Sequence, residues 1–257
     1  MGTAVKRKRR RTGGRGTKRP SYRTVRKPAS RKKPKKRAVT ALSAAVCLLV
    51  ILGALFLSDG GDSGGNYMEY GSDPALDISA GDFTDPRTKN NLDLVAYATQ
   101  AWEHRWGYVW GTFGLELTRT LLAAKVNQYP DRVGSRMEFI RDNWLGRRTA
   151  DCIGLIKSYS WFDPYTRRIE YGAGGMPDIN ADQMFEAASE KGKLGGLFHK
   201  IPEIPGLLVY TPGHIGVYVG DGYVIEARGT EYGVVKTRLE ERGFDYWLKD
   251  PYITYYE

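Results

Sequence analysis

The sulfur and imidazole groups of this chain are few enough to weigh one at a time. Its 257 residues contain two cysteines and three histidines. Cys47 lies inside an apolar run and reads as a small apolar residue. Cys152 is the one thiol outside that run, in Asp151-Cys152-Ile153-Gly154-Leu155. This segment opens a short apolar stretch to Ser160 and places the sulfur at a helix start. There the helix dipole and unpaired N–H groups favour thiolate. With a nearby imidazolium they lower a cysteine pKa from roughly 8.5 to about 3.5–7.5. The same N–H groups can form an oxyanion hole. The alternative is a buried, inert cysteine, the default for the residue type. Two cysteines so far apart exclude a disulfide-stapled secreted scaffold. One Cys and scattered His residues lack metal-ligand spacing, so no metal or other cofactor is expected.

A thiol nucleophile needs a base. His104 falls in a helical pattern between Glu103 and Arg105, where a solvated face explains it. His199 stands beside Lys200 in a loop-like stretch. His214 opens the strand His214-Ile215-Gly216-Val217-Tyr218-Val219. Ile215, Val217 and Val219 should face the core, while His214, Gly216 and Tyr218 share the other face. Gly216 leaves space beside the imidazole.

The next strand, Tyr223-Val224-Ile225-Glu226-Ala227-Arg228, carries a carboxylate whose role depends on register. A two-residue turn at Asp221-Gly222 would pair 226 with 217 and force Glu226 onto the core face. A three-residue turn, Gly220-Asp221-Gly222, pairs 226 with 216 and sets Glu226 diagonal to His214, within side-chain reach. Burying a carboxylate is costly, so the second register is expected. Glu226 could then orient His214 and stabilise its protonated form, as the third member of a triad does. The competing role is an exposed strand residue paired with Arg228 or Lys236.

The elements that must position these groups follow from periodicity. Asn90 or Asn91 caps a helix from about Leu92 to Arg105, broken by Gly107-Tyr108-Val109-Trp110-Gly111. Helical patterns follow from about Leu115 to Val126 and from about Ser135 to Leu145, with Gly146 as a stop. A short buried helix runs from Cys152 to Ser160, and Asn180 caps another through about Lys191. From Gly206 the period becomes two. Leu207–Tyr210, His214–Val219, Tyr223–Arg228, Gly233–Thr237 and Tyr252–Tyr256 are the expected strands. Helices first and strands last predict an α+β domain with an antiparallel sheet.

Charge divides the chain. Residues 1–37 hold 18 of the 39 basic residues and no acidic ones, and residues 38–57 hold no charge. The remaining 200 residues carry 21 basic against 29 acidic side chains, a net of −8, which argues against a nucleic-acid-binding globular domain. The basic tail cannot bury enough surface to order itself. The run 38–57 is long enough for a helix of roughly 30 Å, the thickness of a bilayer core. Basic residues on one side and Ser58-Asp59-Gly60-Gly61-Asp62 on the other orient it with the tail cytoplasmic. The expectation is a single-pass membrane protein with residues 58–90 as a tether and 91–257 as an extracytoplasmic domain. The rival is a cleaved signal peptide, which usually has a shorter apolar region and head. The tail is expected to attract anionic lipid at about 1 kcal/mol per basic residue. Binding of cytoplasmic nucleic acid or an acidic partner is the alternative.

Four segments, in order, resemble the NlpC-type family of papain-like cysteine hydrolases that cut peptidoglycan stem peptides. Gly107-Tyr108-Val109-Trp110-Gly111 is similar to the family's Tyr-Val-Trp-Gly motif, and Ala150-Asp151-Cys152-Ile153-Gly154-Leu155 to its Asp-Cys-Ser-Gly-Leu nucleophile segment. Gly213-His214-Ile215-Gly216-Val217-Tyr218-Val219-Gly220 is similar to its Gly-His-Val-Gly-Ile-Tyr strand. Val224-Ile225-Glu226-Ala227 is similar to the strand that follows. The resemblance covers about Leu92 to Glu257. It implies a papain-like α+β fold and a cysteine peptidase acting on amide bonds of stem peptides. Cys152 would be nucleophile, His214 base and Glu226 third member, with Tyr108, Trp110 and Asp151 at the substrate side. Ile153 replaces the usual Ser, Leu207 the Asp of a Pro-Gly-Asp stretch, and Glu226 the commonest third residue, histidine. About 40 residues separate Gly111 from Cys152, more than is usual in the family. Two other readings stay open: an inactive wall-binding or scaffold module of the same fold, and an amidase or acyltransferase on that scaffold.

Overall fold

The structure, a computed structural model, describes residues 76–195 and 200–256. The basic tail, the apolar run, residues 58–75 of the expected tether and His199 lie outside the described residues. Among the described residues no helix is long and apolar enough to cross a membrane.

Residues 76–90, expected as the end of the tether, belong to the fold. Leu76 and Ile78 are fully buried, and Ser79 N donates to Gln100 Oε1 at 2.6 Å. Asn90 then caps helix α1 (Asn91–Glu103), its side chain accepting from Asp93 N at 2.8 Å. That bond satisfies an N–H which the first helical turn leaves unpaired. The inner face of α1 buries Leu94, Tyr97, Ala98 and Ala101.

The helix expected from Leu115 starts later. Leu115 lies in strand β1 (Phe113–Glu116), and α2 (Arg119–Gln128) begins after the cap Thr118, whose hydroxyl accepts from Leu121 N. The Thr118 cap outweighs the apolar pattern that suggested an earlier start. A short 3₁₀ turn leads into α3 (Met137–Trp144), and Gly146, at a φ of 76°, lets the chain leave that helix. Strand β2 (Arg148–Ala150) returns antiparallel to β1. Helix α4 (Cys152–Trp161) is buried along its whole length. Strands β3 (Phe162–Asp163) and β4 (Arg168–Ile169) form a small hairpin. A capping box between Asn180 and Gln183 starts α5 (Ala181–Ala187), which stops short of the expected end near Lys191.

The second half is a six-stranded antiparallel sheet. Its strands are β5 (Lys191–Lys193), β6 (Leu208–Thr211), β7 (His214–Gly220), β8 (Tyr223–Gly229), β9 (Gly233–Arg238) and β10 (Tyr246–Leu248), in the order β5-β10-β6-β7-β8-β9. The expected strand at Tyr252–Tyr256 is absent: Thr254 makes a single bridge to Asn90, and β10 takes the place beside β6. Helix α4 packs on β7 and β8. Ile215, Val217, Ile225 and Ala227 join the core shared with the helices. On the other face Val209, Tyr218, Val224 and Phe244 form a second, smaller core. Both faces of the sheet are therefore covered. Each buried aliphatic side chain contributes about 1.5–3 kcal/mol relative to exposure.

Candidate active site

Cys152 is the first residue of α4 and Asp151 is its cap. Asp151 Oδ1 accepts from Gly154 N at 2.6 Å, while Oδ2 accepts from Gly111 N at 2.8 Å. The carboxylate thus ties the start of α4 to the Tyr108–Gly111 segment. Asp151 was expected to bind substrate, but both its oxygens are committed to backbone N–H groups. Gly154 completes the junction. A Cβ there would lie 2.0 Å from Thr112 O, so a side chain would push α4 away from the segment it must touch.

Cys152 is only 5% exposed. Its Sγ donates weakly to Gly213 O at 3.9 Å, and the N–H of Ile215 also faces it. The backbone on both sides of His214 therefore touches the sulfur, although no hydrogen bond joins Sγ to the imidazole. Burial pushes the thiol up to about 12, and the Asp151 carboxylate adds to this. The N–H groups of Ile153, Ile215 and Cys152 pull the other way. The depressed pKa expected from the helix start is not found: desolvation outweighs the dipole here. The resting group is a neutral thiol.

His214 and Glu226 meet across β7 and β8. Val217 pairs with Ile225 and Tyr218 with Val224, the register that sets 226 opposite 216. It is reached by another route than the one expected. Gly220 pairs with Tyr223, so the turn is the two-residue Asp221-Gly222, with φ of 53° and 74°. These are the positive values a type I′ hairpin turn requires. A bulge between Tyr218 and Gly220 then absorbs one residue and restores the register.

Glu226 is fully buried, because the second core covers this face. The premise that the register would keep it exposed does not hold. What makes the burial tolerable is a full set of partners. His214 Nε2 lies 2.6 Å from Glu226 Oε2. Arg242 donates from Nε to Oε1 at 2.6 Å and from Nη2 to Oε2 at 3.0 Å. Thr237 Oγ1 donates to Oε1 at 2.8 Å. Burial would raise the carboxyl pKa, but the bonds from His214, Arg242 and Thr237 outweigh it and hold the value at about 2. An ionised carboxylate only accepts, so Nε2 donates to Glu226, and the tautomer that fits this bond has its lone pair on Nδ1. The His214 ring stacks on Phe244 at 5.7 Å between centroids.

Thr237 and Arg242 were not found by sequence reasoning. Thr237 pairs with Val224 across β9, and a register argument extended by one strand would have reached it. Arg242 follows a 3₁₀ turn at Leu239–Glu241, and no periodicity points to it.

Cys152, Asp151, Trp110 and Gly213 line a cleft of about 620 Å³. Lys125, Gln128, Arg132, Asp178 and Asp182 also line it. Trp110 carries the Arg132 guanidinium 4.5 Å above its ring. Tyr108 lines a smaller hollow of about 260 Å³ that shares Trp110 and Arg132. Burial raises the Tyr108 pKa, with Cys152 and Asp151 adding and Arg132 opposing, so its hydroxyl remains a donor. His214 and Glu226 are not among the residues lining the larger cleft; Gly213 brings the strand to its wall. Among the described residues, no group of His, Cys, Asp and Glu converges to hold a metal ion.

No protein-family model matches the chain, and no curated protein matches it. Solved structures do. NlpC2 from Trichomonas vaginalis matches at 18% identity and a TM-score of 0.31, over 63% of this chain and 47% of that one. The chain thus spans about half of that protein's length. The P60 domain of an antigen from M. avium subspecies paratuberculosis matches at 18% identity and a TM-score of 0.36, over 63% and 97%. The peptidoglycan hydrolase RipB from Mycobacterium tuberculosis matches at 18% identity and a TM-score of 0.35, over 84% and 88%. At these values the chain is similar to solved NlpC/P60 domain structures.

Proposed function

We propose that this protein is a cysteine peptidase that hydrolyses amide bonds in peptidoglycan stem peptides. The observation that carries the reading is the Glu226–His214 pair at 2.6 Å, with His214 on the strand whose backbone flanks the Cys152 sulfur. In the proposed reaction Nδ1 of His214 takes the thiol proton as sulfur attacks the amide carbonyl. Proton transfer and attack are concerted, because the thiol rests neutral. N–H groups at the start of α4 hold the oxyanion, and Tyr108 donates a further hydrogen bond. Glu226 stabilises the imidazolium, which then protonates the leaving amine. Water, deprotonated by His214, hydrolyses the thioester and regenerates the thiol. Peptidoglycan as substrate follows from the four motif segments. In this reading residues 38–57 anchor the protein in the membrane, the basic tail lies on the cytoplasmic side against anionic lipid, and the extracytoplasmic peptidase domain runs from Leu76 or earlier.

A second reading has one observation in its favour. A thiol pushed up to about 12 and not hydrogen-bonded to an imidazole also suits an inactive module that only binds wall peptides. Intact-mass measurement after mixing the full chain with a synthetic stem peptide separates the two. The peptidase reading expects cleavage and a transient acyl adduct on Cys152. Binding with neither adduct nor product leaves the inactive module.

A further inference from the structure

Lys125 projects from α2 and is 4% exposed. Its ammonium donates to the neutral Gln128 Oε1 at 3.0 Å and lies 5.7 Å from the centre of the Tyr129 ring. The carboxylates around it are occupied. Asp151 is held by the N–H groups of Gly111 and Gly154, and Asp178 by Lys157 and Tyr171. Burial lowers the Lys125 pKa, Asp151 raises it, Lys157 lowers it further and Asp178 raises it. A buried ammonium whose hydrogen-bond partner is neutral is costly to keep. A ligand that brings negative charge removes that cost.

Lys125, Gln128 and Arg132 line the cleft that holds Cys152. Gln128 uses its oxygen on Lys125, which leaves its amide N–H groups to donate. Arg132 is exposed on the same wall. All three residues come from the stretch between Gly111 and Cys152, where this chain is longer than the family it resembles.

We propose that Lys125, Gln128 and Arg132 form a carboxylate-binding subsite beside Cys152, which selects peptides carrying a free carboxylate close to the scissile amide. The selection of a peptide rests on the peptidase reading; the anion site rests on the cleft alone. The test uses the full chain carrying Cys152→Ala, which cannot turn over. Two probes are compared by calorimetry: a stem tetrapeptide with free carboxylates, and the same peptide with those groups as carboxamides. The carboxylate form is expected to bind about tenfold more tightly, the size of one charge-assisted hydrogen bond. Adding Lys125→Met should bring the two affinities within about twofold, and Lys125→Arg should keep most of the preference. Equal binding of the two peptides overturns the subsite and leaves the peptidase reading intact if the native chain still cuts both. A carboxylate preference without cleavage by the native chain keeps the subsite and removes the peptidase. Failure to bind either peptide sinks both. If Lys125→Met does not fold, Lys125→Gln serves in its place, and the comparison of the two peptides needs no variant of Lys125.

Discussion

Two residue-scale features would set the proposed chemistry: the neutral thiol of Cys152 and the shared carboxylate of Glu226. With the thiol pushed up to about 12, alkylation of Cys152 by iodoacetamide should be slow at neutral pH and still rising at pH 10. A plateau reached below pH 8 would instead indicate a stored thiolate. Asp151→Asn removes a carboxylate that opposes thiolate, so alkylation should quicken at fixed pH, while the amide, with one oxygen in place of two, keeps the Gly154 cap but loses the bond from Gly111 N at a cost of about 1 kcal/mol. Glu226 has a folded pKa of about 2 against an ordinary 4.5. A depressed carboxyl pKa stabilises above the unfolded value, so that stability is complete above about pH 5 and lost as the pH falls toward 2. The contribution is on the order of 3 kcal/mol. Thermal unfolding from pH 6 to pH 2 should show this loss in the native chain and much less of it in Glu226→Gln. The same variant should lose roughly 100-fold in turnover, since an amide stabilises the imidazolium less. Glu226→His, the commoner residue in the family, should not rescue activity, because it would face the Arg242 guanidinium. The cysteine, histidine and glutamate were all legible from type and spacing. The environment that raises the thiol and the arginine that shares the carboxylate were not, because both depend on which chains lie over a face of the sheet.

At the scale of elements, three close approaches hold the site together, and glycine permits two of them. A Cβ on Gly154 would sit 2.0 Å from Thr112 O, and one on Gly216 would sit 2.8 Å from Val224 Cγ1 and 3.1 Å from Glu226 Cβ. Gly154→Ala should destabilise by about 1–3 kcal/mol, read as a lower melting temperature, and also slow turnover by shifting α4. Gly216→Ala should lower activity more than stability, because it displaces Glu226 from His214. Unchanged activity in Gly216→Ala would show that the carboxylate does not need its present place. The third approach is the β7–β8 hairpin, whose bulge keeps Glu226 on the face of His214. Its register was readable from Gly220-Asp221-Gly222, yet the bulge was not, since turn length and bulge give the same pairing for the residues beyond. Most helices were legible: Asn90, Gly146 and Asn180 start or stop three of them, and the apolar stretch from Cys152 marked a fourth, whose cap Asp151 was not read as one. The late start of α2 was missed because Leu115, Leu122 and Val126 stand at helical spacing, although Leu115 is buried in β1. The edge of the sheet was missed because three-residue strands such as β5 and β10 show no period. The alternating Tyr252–Tyr256 stretch is held by backbone bonds of Thr254 with Lys89 and Asn91 and by side chains, with Tyr255 OH donating to Gly206 O and Tyr256 N donating to Asn91 Oδ1.

On the scale of the whole molecule, the chain divides by charge into a basic amino terminus, a charge-free run and an acidic domain. Fractionation of cells should place the intact chain in the membrane pellet, with external protease reaching only residues beyond 58; a soluble product lacking the first 57 residues would favour the cleaved signal peptide. The domain described here begins at least as early as Leu76, which is fully buried, where composition alone had marked a tether. Gly- and Asp-rich sequence conceals two anchoring side chains, Leu76 and Ile78, too short a pattern to register against the polar background. The central claim is that Cys152, with His214 as base, cuts peptide bonds of the cell wall. Its most direct test is digestion of purified peptidoglycan by the full native chain, by Cys152→Ala and by His214→Ala, with mass analysis of the soluble fragments. The native chain should release fragments bearing a new peptide amino terminus. Both variants should fold, as judged by circular dichroism, and release none. Release of the same fragments by Cys152→Ala, or their absence from the native digest, would contradict the claim.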